Sequence, residues 1–370
     1  MDIGLWIYSA RRVPNVSEAS LKSLLSNIMD ALCYTTTPSG GSRPRPRSGP
    51  DSRLVGNPSL RPLTSVLNVN AERHRDEDHL QHRAGNRRVM FENPNIIVSV
   101  YAPLENFLLQ MLIALTRGVS LRIAECELTF IDRQCIDYPR AVQQHSQYRQ
   151  LLRNLGATVV ELPSDDQCPD CCFLEDTALV LDEVAVITRP GSETRRREVD
   201  GVAPTIMKYR NVVRIDAPGT LEAGDVLRLG RNLFVGLSTR TNQQGIAMLR
   251  KALQAYGYEV VAIPMKGVLH LKSVCTALDD HTVLVNPRHF DTAEFSEYRL
   301  VAVPADESMA ANVLRINGTV CMHAGFHQTA DLLRTQGFDI KTVDISEFLK
   351  AEAGLTCMSI TLYASHAQMT

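Results

Sequence analysis

Two residues in the second half of the chain are of the kind that nucleophilic catalysis uses. Cys357 lies in Leu-Thr-Cys-Met-Ser, and His270 lies in Val-Leu-His-Leu-Lys-Ser. A thiolate is a strong nucleophile near neutral pH, and an imidazole can move the protons that such a reaction requires. Each residue alone is also typical of a buried core position, where cysteine is inert and histidine is hydrogen-bonded. The two residues by themselves therefore leave a catalytic and a structural role open.

Charged residues form a second group that could bind a ligand. Glu175 and Asp176 are adjacent at the start of a predicted strand, where both carboxylates can turn toward a cation. A solvated turn is the alternative. Arg195 belongs to a run of three arginines, and Arg240 lies in Ser-Thr-Arg-Thr-Asn. Both are typical of exposed loops unless they bind a carboxylate in a bidentate manner.

A C-x-x-C motif stands just before these carboxylates, in Cys-Pro-Asp-Cys-Cys at residues 168–172. Such a pair could be half of a zinc site or a redox pair. No second C-x-x-C or H-x-x-x-H lies at zinc spacing, and no thioredoxin-like pattern surrounds it. We therefore predict a plain turn that leads into a buried strand.

The elements that position these residues form a repeat. Similar units, each with a polar residue, an apolar strand, a tight turn and a second strand, have first strands that start near Asp176, Asp225, Ser273, Asn312 and Cys357. Repeats of about 40–50 residues are typical of supersecondary units arranged radially or as a solenoid. About five units in one compact domain predict a closed ring, with functional residues at strand ends that face the central axis.

Individual elements of the repeat can also be predicted. Apolar spacing predicts helices over residues 242–256 and 329–336, which lead to strands over 259–263 and 340–343. A run that begins at Met111 predicts the first strand of the ring.

The first 110 residues differ from the rest. Ten of the twenty-five residues 38–62 are Gly or Pro, and residues 72–88 are almost entirely charged or polar. Such segments bury too little apolar surface to offset chain entropy, although residues 19–32 could form one short amphipathic helix. We expect residues 1–110 to be a mostly disordered extension, residues 111–363 to form the catalytic domain, and residues 364–370 to be a tail.

Composition limits the class of protein. The formal net charge is −2, which gives no electrostatic case for a general nucleic-acid binder. No run of eighteen apolar residues predicts a membrane span, and the N-terminus lacks the basic segment of a signal peptide. Nine cysteines without a regular framework suit a reducing compartment. We expect a soluble cytoplasmic protein.

Six segments taken together carry a family resemblance. FLED, ITRPGSETRR, LEAGD, GLSTRTN, VLHLKS and GLTCMS follow one another in this order. The chain resembles the dimethylarginine dimethylaminohydrolase family of the guanidino-group-modifying superfamily, over residues 111–362. The resemblance implies an α/β fold: a five-bladed α/β propeller, or pentein, built of ββαβ-type repeats.

The resemblance also implies roles for individual residues. Cys357 matches the family's nucleophile, His270 its catalytic histidine and Glu222 the acidic partner of that histidine. Substrate-binding positions match Asp170, Glu175, Asp176, Arg195 and Arg240, with backbone groups of Leu128 and Ala351. No metal or organic cofactor is implied. The implied partner is a small-molecule substrate rather than nucleic acid or a membrane, and a homodimer is compatible with the resemblance.

The activity implied is hydrolysis of Nω-methylated arginine, asymmetric dimethylarginine or monomethylarginine, to citrulline and dimethylamine or methylamine through a covalent cysteine adduct. This would connect the protein with arginine metabolism and nitric oxide regulation. An arginine deiminase-type hydrolase acting on free arginine is the alternative within enzymes. A non-catalytic propeller that binds another macromolecule is a third hypothesis, and the Cys/His/Glu set argues against it.

Overall fold

The computed structural model describes residues 110–365, with the side chains of residues 111–364. The predicted helix over residues 19–32 and nearly all of the predicted N-terminal extension lie outside the described residues, as do residues 366–370 of the predicted tail. Within the described segment, no helix is long and apolar enough to cross a membrane.

Within residues 110–365, fifteen strands form five sheets of three strands each. In chain order the strands are β1 Gln110–Arg117, β2 Thr158–Leu162, β3 Ala178–Val180, β4 Val184–Ile187, β5 Asn211–Arg214, β6 Val226–Leu229, β7 Asn232–Leu237, β8 Glu259–Pro264, β9 Cys275–Ala277, β10 Thr282–Val285, β11 Arg299–Ala302, β12 Leu314–Ile316, β13 Thr319–His323, β14 Asp339–Val343 and β15 Ile360–Ser365. The helices are α1 Tyr138–Asn154, α2 Ala203–Ile206, α3 Gln243–Leu253, α4 His327–Thr335 and α5 Ser346–Leu349.

Every sheet has the same arrangement. Its middle strand pairs antiparallel with one neighbour and parallel with the other, in the orders β15-β1-β2, β3-β4-β5, β6-β7-β8, β9-β10-β11 and β12-β13-β14. The last strand, β15, pairs with the first, β1, so the two ends of the described segment complete one sheet. The fold is the predicted five-bladed α/β propeller, closed by its own terminal strands.

The hydrophobic core is divided into five clusters that lie between neighbouring sheets. Ile113 of β1 packs with Ile187 of β4, and Phe234 of β7 packs with Val283 of β10. Burying one side chain of this size contributes about 1.5–3 kcal/mol. Each sheet therefore depends on both neighbours for burial, which holds the ring together and leaves its centre free for polar groups.

The predicted elements are present. The helix predicted over residues 242–256 is α3 followed by a 3₁₀ turn at Gln254–Tyr256, and Asn242 caps it by accepting a hydrogen bond from the Gly245 N–H at 2.8 Å. The helix predicted over 329–336 is α4, and the two strands predicted after these helices are β8 and β14.

The longest helix, α1, was not predicted from the sequence. The face of α1 that packs against the core includes the polar residues Gln144 and His145 as well as Tyr148 and Leu152. The hydrophobic periodicity of this helix is therefore weak. Asp137 caps its first turn by accepting a hydrogen bond from the Arg140 N–H at 3.1 Å. Its stability therefore comes from capping and from packing against the propeller more than from a clear apolar stripe.

In four of the five sheets, a short 3₁₀ turn precedes the strand that pairs antiparallel with the middle strand. These turns are Leu174–Thr177 before β3, Ala223–Asp225 before β6, Leu271–Ser273 before β9 and Thr356–Met358 before β15. The first of them contacts the second and the fourth, and the second contacts the third. The strand starts predicted near Asp176, Asp225, Ser273 and Cys357 all lie in these turns. We refer to the four as the central turns.

Candidate active site

The central turns and the loops beside them surround a small cavity. Its walls are formed by Glu127, Asp170, Phe173, Asp176, Arg195, Arg240, Leu269, His270, Ala351, Glu352, Ala353 and Cys357. Eight of these twelve residues carry charge or titrate, although the cavity lies inside a folded domain. The sequence-predicted residues Cys357, His270, Asp176, Asp170, Arg195, Arg240 and Ala351 are thus brought together from positions almost 200 residues apart.

His270 and Glu222 form a buried pair. The His270 Nε2 lies 2.7 Å from the Glu222 Oε2, and both side chains are almost completely inaccessible. Burial alone would lower the pKa of His270, but the negative charges of Asp176, Asp225 and Glu222 outweigh burial and raise this pKa to about 9. The imidazole is therefore protonated at neutral pH and is ready to donate a proton.

Cys357 lies in the central turn before β15, with its thiol buried. Its Sγ accepts a hydrogen bond from the Gly354 N–H at 3.4 Å. Burial, together with the negative charges of Glu175 and Asp176, raises the pKa of Cys357 to about 12. The thiol is therefore protonated at neutral pH. A cation placed beside it would favour the thiolate by the same electrostatics acting in reverse.

Glu175 and Asp176 point to different partners. Glu175 binds the Lys272 Nζ and accepts a hydrogen bond from the Thr356 Oγ1 at 2.7 Å, so it links two central turns. Asp176 lines the cavity, accepts a hydrogen bond from the Gly224 N–H at 3.0 Å and lies 2.8 Å from the Arg195 Nη1. Burial would raise the pKa of Asp176, but His270 and Arg195 overcome burial and lower this pKa to about 2. Asp176 is therefore a permanent anion in the cavity wall.

Arg195 and Arg240 differ in how many of their guanidinium N–H groups donate hydrogen bonds. Arg195 donates to Asp176, to the Phe173 carbonyl at 3.1 Å, and to Glu198 through Nε at 3.2 Å and Nη2 at 2.9 Å. Arg240 donates from Nη2 to the Thr129 Oγ1 at 3.1 Å. The Nη1 of Arg240 is buried without a hydrogen-bond partner among the described residues. Because both guanidiniums line the cavity, neither is the exposed loop cation that the sequence alone allowed.

The remaining predicted positions are in the cavity wall or directly next to it. Asp170 forms part of its wall and accepts the Glu127 N–H at 3.2 Å, and burial raises the pKa of Asp170. Ala351 also lines it. Leu128 packs its side chain against the neighbouring hydrophobic cluster, directly after the wall residue Glu127. The C-x-x-C motif forms a turn, with the Cys171 N–H donating to the Cys168 carbonyl at 3.1 Å, as predicted.

Among the charged residues in or beside the cavity wall, the sequence did not predict Glu127, Glu198, Lys272 and Glu352. Lys272 follows His270 by two residues in VLHLKS, and Glu198 follows Arg195 by three, so local spacing could have indicated them. Glu352 accepts hydrogen bonds from the backbone N–H groups of Thr129 at 2.7 Å and Phe130 at 3.0 Å, more than 200 residues away in sequence. No local signal predicts a contact of that kind.

Asp176, Glu222 and His270 also have the donor types of a metal site, since their ligand atoms lie within 4.8 Å of one another. The same atoms are already paired in this arrangement. His270 Nε2 bonds Glu222, and Asp176 bonds the Arg195 guanidinium. A hydrogen-bonded acid–imidazole pair accounts for the geometry of these three residues without a metal ion.

Comparison with known proteins places this site in a family. The sequence model of the arginine deiminase family matches residues 166–309. The chain is 39% identical over 251 residues to the N(G),N(G)-dimethylarginine dimethylaminohydrolase of Streptomyces coelicolor, covering 67% of this chain and 96% of that protein. It is 34% identical over 226 residues to the enzyme of that name from Pseudomonas aeruginosa, covering 60% of this chain and 89% of that protein.

Solved structures agree with the sequence comparison. A cysteine-to-serine mutant of the Pseudomonas aeruginosa enzyme, complexed with citrulline, matches with a TM-score of 0.65 and 31% identity, covering 68% of this chain and all of that chain. The N-terminal domain of ArgZ, an arginine dihydrolase from cyanobacteria, matches with a TM-score of 0.62 at 22% identity, which shows the shared fold alone. The chain belongs to the dimethylarginine dimethylaminohydrolase family.

Proposed function

We propose that this protein hydrolyses Nω-methylated L-arginine to citrulline and dimethylamine or methylamine. The observation that carries this proposal is the meeting of Cys357, the His270–Glu222 pair and the ionised Asp176 in one cavity. A guanidinium is planar, cationic and resonance-stabilised, so its hydrolysis needs an anion to bind it, a nucleophile to attack its carbon and an acid for the leaving amine. Each requirement has a group in the cavity wall.

Asp176 is the residue that we assign to binding the guanidinium. Its carboxylate is ionised and held by Arg195 and the Gly224 N–H, so it need not reorganise when a cation arrives. Glu175 lies behind the wall, bonded to Lys272 and Thr356. We propose that Glu175 adds negative charge to the site and aligns the turn that carries Cys357.

The nucleophile in this mechanism is the thiolate of Cys357. Binding of the substrate cation offsets the two carboxylates that raise the pKa of this thiol, and the thiol proton passes to solvent because His270 is already protonated. The Sγ then forms a bond to the central guanidinium carbon, and the electron pair of the C=N bond moves onto nitrogen. The product of this step is a tetrahedral adduct.

His270 supplies the proton that the adduct needs to collapse. The imidazolium, stabilised by Glu222, protonates the methylated nitrogen, and the carbon–nitrogen bond to the departing amine breaks. The neutral imidazole then takes a proton from water as the water oxygen attacks the remaining thiouronium carbon. Cleavage of the carbon–sulfur bond gives the ureido group of citrulline and returns Cys357.

The arginines fit the other end of an amino-acid substrate. The buried Nη1 of Arg240, which has no hydrogen-bond partner among the described residues, supports a role in binding the α-carboxylate, with Arg195 beside it in the cavity wall. Asp170 and the backbone of Leu128 and Ala351 complete the substrate contacts in this proposal. A substrate without a carboxylate would leave this buried donor without a hydrogen bond, which is costly.

The match to the arginine deiminase family model supports a second candidate, hydrolysis of unmethylated arginine to citrulline and ammonia. Both reactions use the same groups, and they differ in how much space surrounds the distal nitrogen.

Product analysis separates these hypotheses. The purified full chain is incubated in parallel with L-arginine, Nω-monomethyl-L-arginine and Nω,Nω-dimethyl-L-arginine, and citrulline, ammonia and the amines are quantified. We expect citrulline with equal amounts of methylamine or dimethylamine from the methylated substrates. Ammonia from arginine at a higher kcat/KM would favour the second candidate, and the absence of citrulline from all three would favour a non-catalytic propeller.

Four wider assignments extend the proposal. We propose that residues 111–363 form the catalytic domain, preceded by an extension over residues 1–110. We also propose a cytoplasmic location, which the cysteine usage supports, and an influence on nitric oxide synthesis, which the family resemblance supports. A homodimer is likewise a proposal and is testable by light scattering.

A further inference from the structure

Glu127 is a charged residue of the cavity wall that the mechanism above does not use. Its side chain is 31% exposed, whereas the side chains of Asp176 and Glu222 are at most 4% exposed. Glu127 therefore lies where the cavity opens toward solvent, rather than among the reacting groups.

The Glu127 carboxylate is held in one orientation by neighbours from another loop. Its Oε1 accepts a hydrogen bond from the Ser192 Oγ at 2.5 Å and a second from the Thr194 Oγ1. Its backbone N–H donates to Asp170. Although burial acts in the opposite direction, these hydroxyl groups and Arg240 lower the pKa of Glu127 below its usual range. The residue is thus a fixed, ionised carboxylate whose second oxygen, Oε2, faces the Arg240 guanidinium.

The Glu127 Oε2 lies next to the Arg240 Nη1, a buried donor without a hydrogen-bond partner among the described residues. The Arg240 Nη1 lies 3.3 Å from the Glu127 Oε2 and 3.7 Å from the Glu222 Oε1, and it makes no hydrogen bond to any residue that the structure describes. A buried cationic donor and a fixed anionic acceptor thus stand side by side in the cavity wall. Because leaving a buried donor unpaired is costly, the pair points to a ligand that supplies an anion to Arg240.

We propose that Glu127 and Arg240 together bind the zwitterionic end of the substrate, with Arg240 Nη1 on the α-carboxylate and Glu127 Oε2 on the α-ammonium. The two charged groups of an amino acid are attached to one carbon, so they match an adjacent positive and negative group in the wall. This inference rests on the proposed function, since it assigns the amino-acid end of the same substrate. It makes Glu127 a specificity-determining residue that favours free amino acids over Nα-acylated or peptide-bound arginines.

The chemistry behind this selectivity is the loss of charge on acylation. An α-ammonium donates charge-assisted hydrogen bonds to a carboxylate, and such bonds are about twice as strong as neutral ones. An Nα-acetyl group turns the ammonium into a neutral amide and adds bulk beside Glu127. Removing the charge of Glu127 is therefore expected to weaken the binding of free amino acids much more than the binding of their acetylated forms.

The test compares Glu127→Gln with the wild type in steady-state kinetics. Glutamine retains an oxygen for the Ser192 and Thr194 hydroxyls and removes only the charge. We expect the KM for Nω,Nω-dimethyl-L-arginine to rise about tenfold, the size of one lost charge-assisted contact, with kcat within about twofold. The KM for the Nα-acetyl derivative should change less than about twofold, so the preference for the free amino acid falls.

Glu193→Gln is the matched control. Glu193 lies between Ser192 and Thr194, but its side chain is 84% exposed and pairs with Arg196. This change removes one negative charge from the same loop without touching the cavity wall, so kinetics should stay as in the wild type. An equal KM rise in the control would show a general field effect and overturn the inference.

Two other outcomes would also overturn it. Equal losses for the free and the acetylated substrate would make Glu127 structural, and a lower KM in Glu127→Gln would mean that Glu127 competes with the substrate carboxylate for Arg240. Calorimetric binding of L-citrulline and Nα-acetyl-L-citrulline to the wild type and to Glu127→Gln separates this inference from the proposed function. A protein that hydrolyses no methylarginine but loses citrulline affinity selectively in Glu127→Gln would refute the proposed function alone. A wild type that binds neither citrulline nor a methylarginine would overturn both.

Discussion

Four of the five repeats bring reactive groups to the centre of the ring, and the fifth does not. The central turns carry or adjoin Asp176, Glu222, His270 and Cys357. The equivalent point of the remaining repeat is Asn312, two residues before β12. Its side chain donates to the Lys272 carbonyl at 3.0 Å and the Thr356 Oγ1 at 3.1 Å, and it accepts the Thr356 N–H at 3.1 Å.

The difference teaches how one repeated unit can hold two kinds of role. Asn312 presents no group that titrates near neutral pH, and its hydrogen bonds join the turn of His270 to the turn of Cys357. We infer that the repeat of Asn312 positions the nucleophile, and that the reactive groups of the other four repeats carry out the reaction. Substitutions in the two kinds of repeat separate these roles, because one kind should reduce activity and the other should reduce stability.

The largest effect is expected where two central turns touch. A Cβ on Gly224 would lie 2.6 Å from the Asp176 Oδ1 and 2.7 Å from the His270 Nδ1, closer than real contacts of that kind. Gly224→Ala must therefore displace the Asp176 carboxylate or the His270 imidazole. We expect kcat to fall about 100-fold, as displacements near 1 Å can cause, with a much smaller change in melting temperature.

Gly230→Ala serves as the control for this change in the same sheet. Gly230 has a φ of +63° and no atom within 4 Å of an added Cβ, so alanine there meets strain without a clash. This variant should lose about 1 kcal/mol of folding free energy and keep full activity. If Gly224→Ala kept wild-type kcat, the close packing of these turns would not matter for catalysis.

Asn312→Ala tests the supporting role of the fifth repeat. The substitution removes three hydrogen bonds and leaves buried groups of Thr356 and Lys272 unpaired. We expect a loss of about 2–3 kcal/mol in unfolding free energy by urea titration, with kcat reduced less than about tenfold. A loss of activity as large as that of Gly224→Ala, at unchanged stability, would move Asn312 into the catalytic group.

A smaller effect is expected in the pH dependence of stability. Because the folded protein raises the pKa of His270 from its usual value near 6.5 to about 9, protonated His270 stabilises the fold. This contribution is complete below about pH 6.5 and is lost as the pH rises through about 9. Thermal melts between pH 6.5 and pH 10 should show a steeper decline for the wild type than for His270→Ala. Parallel curves would show that the carboxylates around His270 do not stabilise its charge.

The smallest effect is expected outside the propeller. If residues 1–110 add nothing to the ring, a chain beginning at Met111 should melt within a few degrees of the full chain and retain its kcat/KM. Differential scanning calorimetry and the dimethylarginine assay measure both. Aggregation or loss of activity on truncation would show that the extension covers apolar surface of the propeller, and the predicted domain boundary would have to be abandoned.

Sequence predicted those parts of the site that local motifs encode. The repeat predicts that functional residues at strand ends face the centre, and the family resemblance assigns the catalytic roles to Cys357 and His270. Glu127 and Glu352 escaped prediction because their roles come from contacts across the ring: Glu352 binds the backbone at Thr129 and Phe130, and Glu127 faces Arg240. Such contacts depend on closure of the propeller, which no local pattern encodes. The same holds for helix α1, whose buried face includes Gln144 and His145.

The most direct test of the account is the turnover of Nω,Nω-dimethyl-L-arginine by Cys357→Ser, measured as citrulline formed under saturating substrate. A serine hydroxyl at this position stays protonated, because no group in the site is basic enough to ionise it. The account predicts a kcat at least about 1000-fold below the wild type, with citrulline binding within a few-fold of the wild type by calorimetry. A variant that kept a tenth of wild-type turnover would contradict covalent catalysis by Cys357.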